Sequence, residues 1–230
     1  MENPFQANLT NNAEDKIIEF VKNYPNQITF ISLGPLTNLA RAINKNPSVM
    51  KNLKQVLIMG GAINVRGNQT RFAEFNFFND PESAKIVFSF PINKILLPLD
   101  VCNKIQMQIR DFKKIKKPEI KDFILKIMKE YIDLTKKEEG FSGALMYDPL
   151  TIYYLIKPLL CNVKKYRLDV EVKGVKRGRI KKNKSGFEVN VIEDIGKDFF
   201  KKDLIEILSM SQEETLLNNF GLNFLDSSEE

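Results

Sequence analysis

The chain has 230 residues, 43% of them hydrophobic, enough to bury a substantial core in one domain or at most two, and no apolar run is long enough to span a bilayer. Lys and Arg number 35 against 29 Asp and Glu, a formal charge of +6, but the basic pairs such as Lys113-Lys114, Lys136-Lys137 and Lys201-Lys202 are scattered among acids, which argues against a nucleic-acid partner. The chain has no histidine, which excludes an internal Ser-His-Asp or Cys-His arrangement, and its two cysteines, Cys102 and Cys161, stand in no metal-ligand spacing.

The start, Met1-Glu2-Asn3-Pro4, lacks the basic and apolar regions of a signal peptide, so a cytoplasmic location is the default expectation. Asn11-Asn12 as a cap, Glu14 and Asp15 in the first turn, and apolar Ile17, Ile18, Phe20 and Val21 predict an amphipathic helix. A strand over residues 28–33 is broken by Gly34-Pro35, and Thr37 or Asn38 opens a helix that ends before Pro47. Residues 56–59 read as a buried strand, followed by Gly60-Gly61, a polar loop to Arg71 and an extended piece over 74–76. Asp80 and Pro81 then suit the N-cap and first position of a helix to Phe88, and a third strand spans 95–99.

Residues 117–139 form a long helix whose face of Ile120, Phe123, Ile124, Ile127, Met128 and Tyr131 suits core packing. Asp148-Pro149 starts another helix, ending near Lys157-Pro158. Residues 167–173 and 187–192 alternate like an antiparallel hairpin or edge pair, residues 202–210 read as a final amphipathic helix, and the end over 227–230 is expected to fray. Strands alternating with helices predict an α/β fold with a mainly parallel sheet and helices on both faces. Ligands in such sheets sit beyond the carboxyl ends of the strands, which Gly34, Gly60 and Asp100 close here.

The run Ala73-Glu74-Phe75-Asn76, ahead of Asp80-Pro81-Glu82, puts a carboxylate and a carboxamide two residues apart. In an extended segment both point to one side, where Glu74 accepts from two sugar hydroxyls and Asn76 both donates and accepts. The competing reading is a loop whose Glu and Asn cap the helix beginning near Asp80. Gly60-Gly61 lacks the full G-x-G-x-x-G spacing, so a dinucleotide site is not indicated.

Together with the runs ISLGPLTNLA (31–40), VLIMGGAINVRGNQT (56–70) and MYDPL (146–150), this segment resembles the nucleoside hydrolase family of inosine–uridine-type N-ribohydrolases, in family order from about residue 10 to about 195. The resemblance implies calcium-assisted hydrolysis of the N-glycosidic bond of ribonucleosides, for nucleoside salvage. It implies Asp148 and the backbone carbonyl of Leu33 as calcium ligands, and Asn68, Glu74 and Asn76 on the ribose. Met59 would pack near the sugar and Phe75 near the base. Local sequence alone reads Asp148 equally as a helix N-cap, Asn68 as a turn residue and Met59 as core.

Two departures stand out. The family's aspartate-rich opening has no counterpart, so the chain is expected to be a single, N-terminally truncated domain with no general base assigned and only two ligands for an ion that takes about six to eight oxygens. Tyr147 stands where many members carry a histidine that assists the leaving base, and a phenol is a weaker acid. The expected partners are a ribonucleoside, a second copy in a homo-oligomer, and an N-terminal fragment supplied in trans to cover the edge strand at 28–33. The alternatives are a catalytically silent, nucleoside-binding relative or a basic nucleic-acid-associated module.

Overall fold

The computed structural model describes residues 12–210, so Asn11 and the 227–230 end lie outside the described residues. In chain order, helix α1 (Ala13–Asn23) follows Asn12, which is extended but makes no side-chain cap bond. Strand β1 (Thr29–Ser32), helix α2 (Thr37–Lys45), a short α3 (Pro47–Met50) and strand β2 (Gln55–Met59) come next. Helix α4 (Phe75–Asn79) then replaces the extended piece expected at 74–76. Only Glu74 is extended there, so Glu74 and Asn76 do not project side by side from a strand.

Helix α5 (Pro81–Ser89), strand β3 (Lys94–Leu97) and the turn-like α6 (Leu99–Cys102) follow. Then come β4 (Gln106–Met107), α7 (Ile109–Phe112), α8 (Pro118–Glu138), β5 (Ala144–Leu145) and α9 (Tyr147–Ile156). Strands β6 (Cys161–Val170), β7 (Ile180–Lys182) and β8 (Phe187–Ile195) precede α10 (Lys197–Ser209), which starts well before the expected residue 202. Among the described residues no helix is long and apolar enough to cross a membrane.

The chain divides into two compact units. The first comprises the residues up to Val101 together with Asn162–Asp194, and holds a six-stranded sheet of order β1-β2-β3-β8-β6-β7. Strands β1, β2, β3 and β8 run parallel, with Phe30 opposite Val56, Leu57 opposite Ile95 and Leu96 opposite Val191. Strands β6 and β7 pair antiparallel. The segments expected as an antiparallel hairpin or edge pair are neighbours in the sheet as β6 and β8, but they are not at its edge: β8 also lies against β3, and the three-residue β7 takes the edge. The inner strands carry unbroken apolar runs because both faces are covered. Val56, Leu57, Ile58 and Met59 are all buried, as are Leu96 and Leu97. Helix α2 adds Leu39 and Ile43, and α5 adds Val87 and Phe88, whose ring meets Phe77 edge-on at 5.6 Å.

The second unit, Cys102–Cys161 with the residues from Ile195 onward, carries the β4–β5 ladder and helices α7 to α10. Here α8 departs from expectation: Ile120, Phe123 and Ile127 are exposed, and Thr135 is its buried residue. The amphipathic stripe is present but only half covered: Ile124, Met128 and Tyr131 are partly buried, and the Tyr131 hydroxyl donates to Leu145 O at 3.2 Å. Met146 rather than Asp148 occupies the N-cap of α9, so Asp148 lies inside the first turn.

Two features of the first unit carry expected outcomes. Asp80 caps α5 by accepting from Ser83 N (3.0 Å) and Ser83 Oγ (2.7 Å), and Thr37 at the start of α2 donates to the same carboxylate. Burial alone would push the Asp80 carboxyl up, but these bonds and then the Arg177 charge outweigh it and hold it below the usual aspartate range. A depressed folded pKa means stability that is full above the unfolded value, near 4, and is lost as pH falls through the folded value. Asp80→Ala should cost about 1 kcal/mol in urea unfolding at pH 7, and the gap should narrow below about pH 4; a gap independent of pH would contradict this. Among the described residues β1 ends the sheet, and Ile31 on it is exposed, a pattern that favours pairing with another chain. Sedimentation should show concentration-dependent association that Ile31→Lys reduces, and a wild-type chain that stays monomeric would count against it.

Candidate functional site

Strand β2 runs into Gly60-Gly61, which stays tied to β3: Gly60 N donates to Leu97 O at 3.1 Å, and Gly61 O accepts from Leu99 N at 2.9 Å. Gly61 has φ +77, and a Cβ there would lie 2.2 Å from Ile180 Cδ1. At Gly60 a Cβ would lie 2.9 Å from Glu74 Oε2. Glycine is required because a carboxylate is packed directly against this backbone.

That carboxylate caps α4. Glu74 Oε1 accepts from Asn76 N at 2.9 Å, and Oε2 accepts from Phe77 N at 3.2 Å and from Gly61 N at 2.8 Å. Asn68 Oδ1 takes Phe75 N at 3.0 Å, so the first three N–H groups of the helix are all satisfied by side chains. The competing reading of the sequence was thus near the mark in kind, but Glu74 caps its own helix rather than the one at Asp80. Glu74 is 2% exposed. A carboxylate has about four acceptor positions, and at least three of those of Glu74 are engaged here.

Asn76, buried on the first turn of α4, bridges the two neighbouring strand ends. Its Nδ2 donates to Met59 O at 3.1 Å and to Leu33 O at 3.4 Å, and lies 3.6 Å from Met59 Sδ. Its Oδ1 receives no hydrogen bond from a described residue, which leaves a preset acceptor at the carboxyl ends of β1 and β2. Met59 is buried beside it, whereas Phe75 and Asn68 are exposed. Asp100 plays a part that the sequence reading missed beyond its place at a strand end. Its carboxylate accepts from Ile63 N (2.9 Å), Asn64 N (2.8 Å) and Asn64 Nδ2 (2.9 Å), clasping the loop that leaves Gly61. The only signal for this was an aspartate closing one strand while a Gly-Gly loop closes its neighbour.

In the second unit, Tyr147 donates its hydroxyl to Glu139 Oε2 at 3.1 Å. Burial, reinforced by the Glu139 charge, pushes the phenol far above its usual range. Burial likewise pushes the Glu139 carboxyl up, against the Tyr147 hydrogen bond that lowers it. A phenol held this way donates a hydrogen bond well and a proton poorly. Asp148 receives no hydrogen bond from a described residue, and partial burial raises its carboxyl pKa although the residue as a whole is exposed. It stands beside an apolar cavity of about 310 Å3 lined by Ile152, Tyr153, Phe200 and Leu204.

Calcium takes about six to eight oxygens, usually from several carboxylates. Among the described residues no three metal-capable His, Cys, Asp or Glu side chains stand together. The Leu33 carbonyl and the Asp148 carboxylate are oxygen donors of the right kind, but the described residues do not form a calcium cage, and no step is derived through the ion.

The inosine-uridine preferring nucleoside hydrolase family matches residues 1–202. A pyrimidine-specific ribonucleoside hydrolase RihA from Salmonella newport is 34% identical over 175 residues, 74% of this chain and 56% of that protein. The Shigella boydii protein of the same description is 37% identical over 151 residues, 64% of this chain and 48% of its own length. The chain thus spans about half the length of the curated relatives it matches. Among solved structures, a plant nucleoside hydrolase, PpNRh1, superposes with a TM-score of 0.83 at 24% identity, covering 88% of this chain and 68% of that one. An inosine-uridine preferring nucleoside hydrolase from Bacillus anthracis gives a TM-score of 0.73 at 26% identity, covering 87% and 66%.

Glu74→Ala strands three N–H groups, each costing about 1–3 kcal/mol when buried without a partner, so it should destabilise the chain by at least about 2 kcal/mol in urea unfolding. Glu74→Gln keeps an acceptor oxygen and should cost about half as much. A loss below about 0.5 kcal/mol for Glu74→Ala, the range of ordinary surface changes, would show that the cap is not what holds the loop.

Proposed function

The chain belongs to the inosine-uridine preferring nucleoside hydrolase family, and from that premise we propose that it serves hydrolysis of the N-glycosidic bond of ribonucleosides, to ribose and free base. The observation that carries this reading is the Asn76 carboxamide, fixed by the Leu33 and Met59 carbonyls at the carboxyl ends of two parallel strands with its Oδ1 open. An acceptor held there takes a ribose hydroxyl without a cost of ordering at the moment of binding.

Cleaving the ribosyl C–N bond develops positive charge on the sugar in an oxocarbenium-like transition state. In the proposed roles Asn76 orients a ribose hydroxyl and Glu74 stands beside it on the ribose. Asn68 fixes the start of α4 so that both side chains keep their places, Met59 packs against the sugar, and the exposed Phe75 offers a ring to the base. The relatives' descriptions name pyrimidine-specific and inosine-uridine preferring enzymes, so uridine and inosine are both test substrates.

A second reading, a nucleoside-binding relative without turnover, is favoured by Tyr147, whose hydroxyl is committed to Glu139 and whose acidity is suppressed. Calorimetric titration of the full chain with uridine and with inosine, alongside a reducing-sugar assay in calcium, separates the two. Both readings require binding, and Asn76→Ala should weaken it about tenfold, the loss of one well-placed hydrogen bond. The proposed hydrolysis predicts ribose release above background, and binding without release favours the second reading. Calcium-dependent release would establish it as a working hydrolase, and absence of binding by either nucleoside would overturn the assignment of the sugar site.

A further inference from the structure

Lys94 opens β3, at the end of the sheet opposite the Glu74 cap. It is 5% exposed, unusual for a lysine, which is rarely buried unless paired with a carboxylate. Its Nζ donates to the Phe90 carbonyl at 2.7 Å. Phe90 is the C-cap of α5, so the ammonium also faces the negative end of that helix. Among the described residues no carboxylate lies within 4.0 Å of Nζ, and Phe90 is the acceptor it reaches. An ammonium carries three donors, so two are left over.

Lys94 lines a depression of about 370 Å3 together with Ser89, Phe90, Arg167, Phe187 and Glu188. Arg167, on β6, brings a second cation. Its guanidinium stands 3.8 Å from Glu188, too far for a hydrogen bond, and Lys165 approaches the same carboxylate at 3.5 Å. Three cations therefore share one acid, and the buried one is not paired with it. Burial pulls the Lys94 amine down to about 8, with the Glu188 charge opposing, so most of the group is still cationic at neutral pH.

We propose that this depression is an oxyanion site of the phosphate class, in which the Lys94 ammonium and the Arg167 guanidinium share the ligand. A phosphate oxygen supplies the acceptors that Lys94 lacks, and a planar guanidinium suits a second oxygen of the same group. The volume admits more than a bare phosphate, so a free anion and a phosphomonoester present the same recognised group.

Calorimetric titration of the full chain with inorganic phosphate, and separately with glycerol 2-phosphate, tests this against chloride at matched ionic strength. Saturable binding of at least one is expected, and the tighter of the two identifies the source. Lys94→Met and Arg167→Gln should each weaken it at least about tenfold, as removal of one charge-assisted hydrogen bond does. The Arg167 side chain is 55% exposed, so Arg167→Gln keeps the fold and decides the matter even where Lys94→Met does not fold. No saturable binding, or unchanged affinity in Arg167→Gln, would overturn the proposal.

Discussion

A single buried carboxylate organises the first unit. Burying a polar group costs free energy unless it is hydrogen-bonded, and Glu74 offsets that cost with N–H groups from two different elements, the loop after β2 and the first turn of α4. The result is a fixed distance between a strand end and a helix start. Gly60 and Gly61 follow from it, because any side chain at Gly60 would collide with the carboxylate and the neighbouring Phe77 ring.

Asn76 depends on the same arrangement. Its side chain reaches the carbonyls of Met59 and Leu33 only because α4 begins where Glu74 starts it, so the ends of β1 and β2 are joined through a helix that neither strand contacts by a ladder bond. The second helix of this stretch is fixed in a parallel way. Asp80 starts α5 and receives the Thr37 hydroxyl from the start of α2, so two helix beginnings share one carboxylate. With Asp100 holding the Gly61 loop, three acids at or near strand ends and helix starts do most of the positioning. All three hold backbone N–H groups, and among the described residues no three metal-capable side chains stand together.

Much of this was legible in the sequence where local chemistry decides it. Gly34-Pro35, Gly60-Gly61 and Asp80-Pro81 punctuate strands and helices by backbone rules alone, and β1, β2, β3 and α5 fall within a residue or two of their expected limits. The α/β class and the family resemblance followed from those segments and their order. The extended Glu74–Asn76 reading failed because α4 is five residues long, too short for helical periodicity, and is held by Glu74 and Asn68 rather than by propensity. Strand β7 escaped because Ile180, Lys181 and Lys182 show no alternation worth the name. The Ile120, Phe123 and Ile127 stripe was read as core from its spacing, yet spacing reports amphipathicity and not whether another element covers the face. Lys94, the buried cation, sat unnoticed at the head of an apolar strand, since burial of its ammonium is decided by α5 and β8 rather than by its neighbours in sequence.

The account's central claim is that the Glu74 carboxylate joins the β2 end to α4 as one cooperative piece. Native-state amide hydrogen exchange reads this directly at the Gly61, Asn76 and Phe77 N–H groups, which accept no help from a common strand or helix ladder. The three should be protected together in the wild type and lose protection together in Glu74→Ala, while Leu57 and Ile58 within β2 keep theirs. Independent exchange at the three amides, or protection that survives in Glu74→Ala, would contradict it.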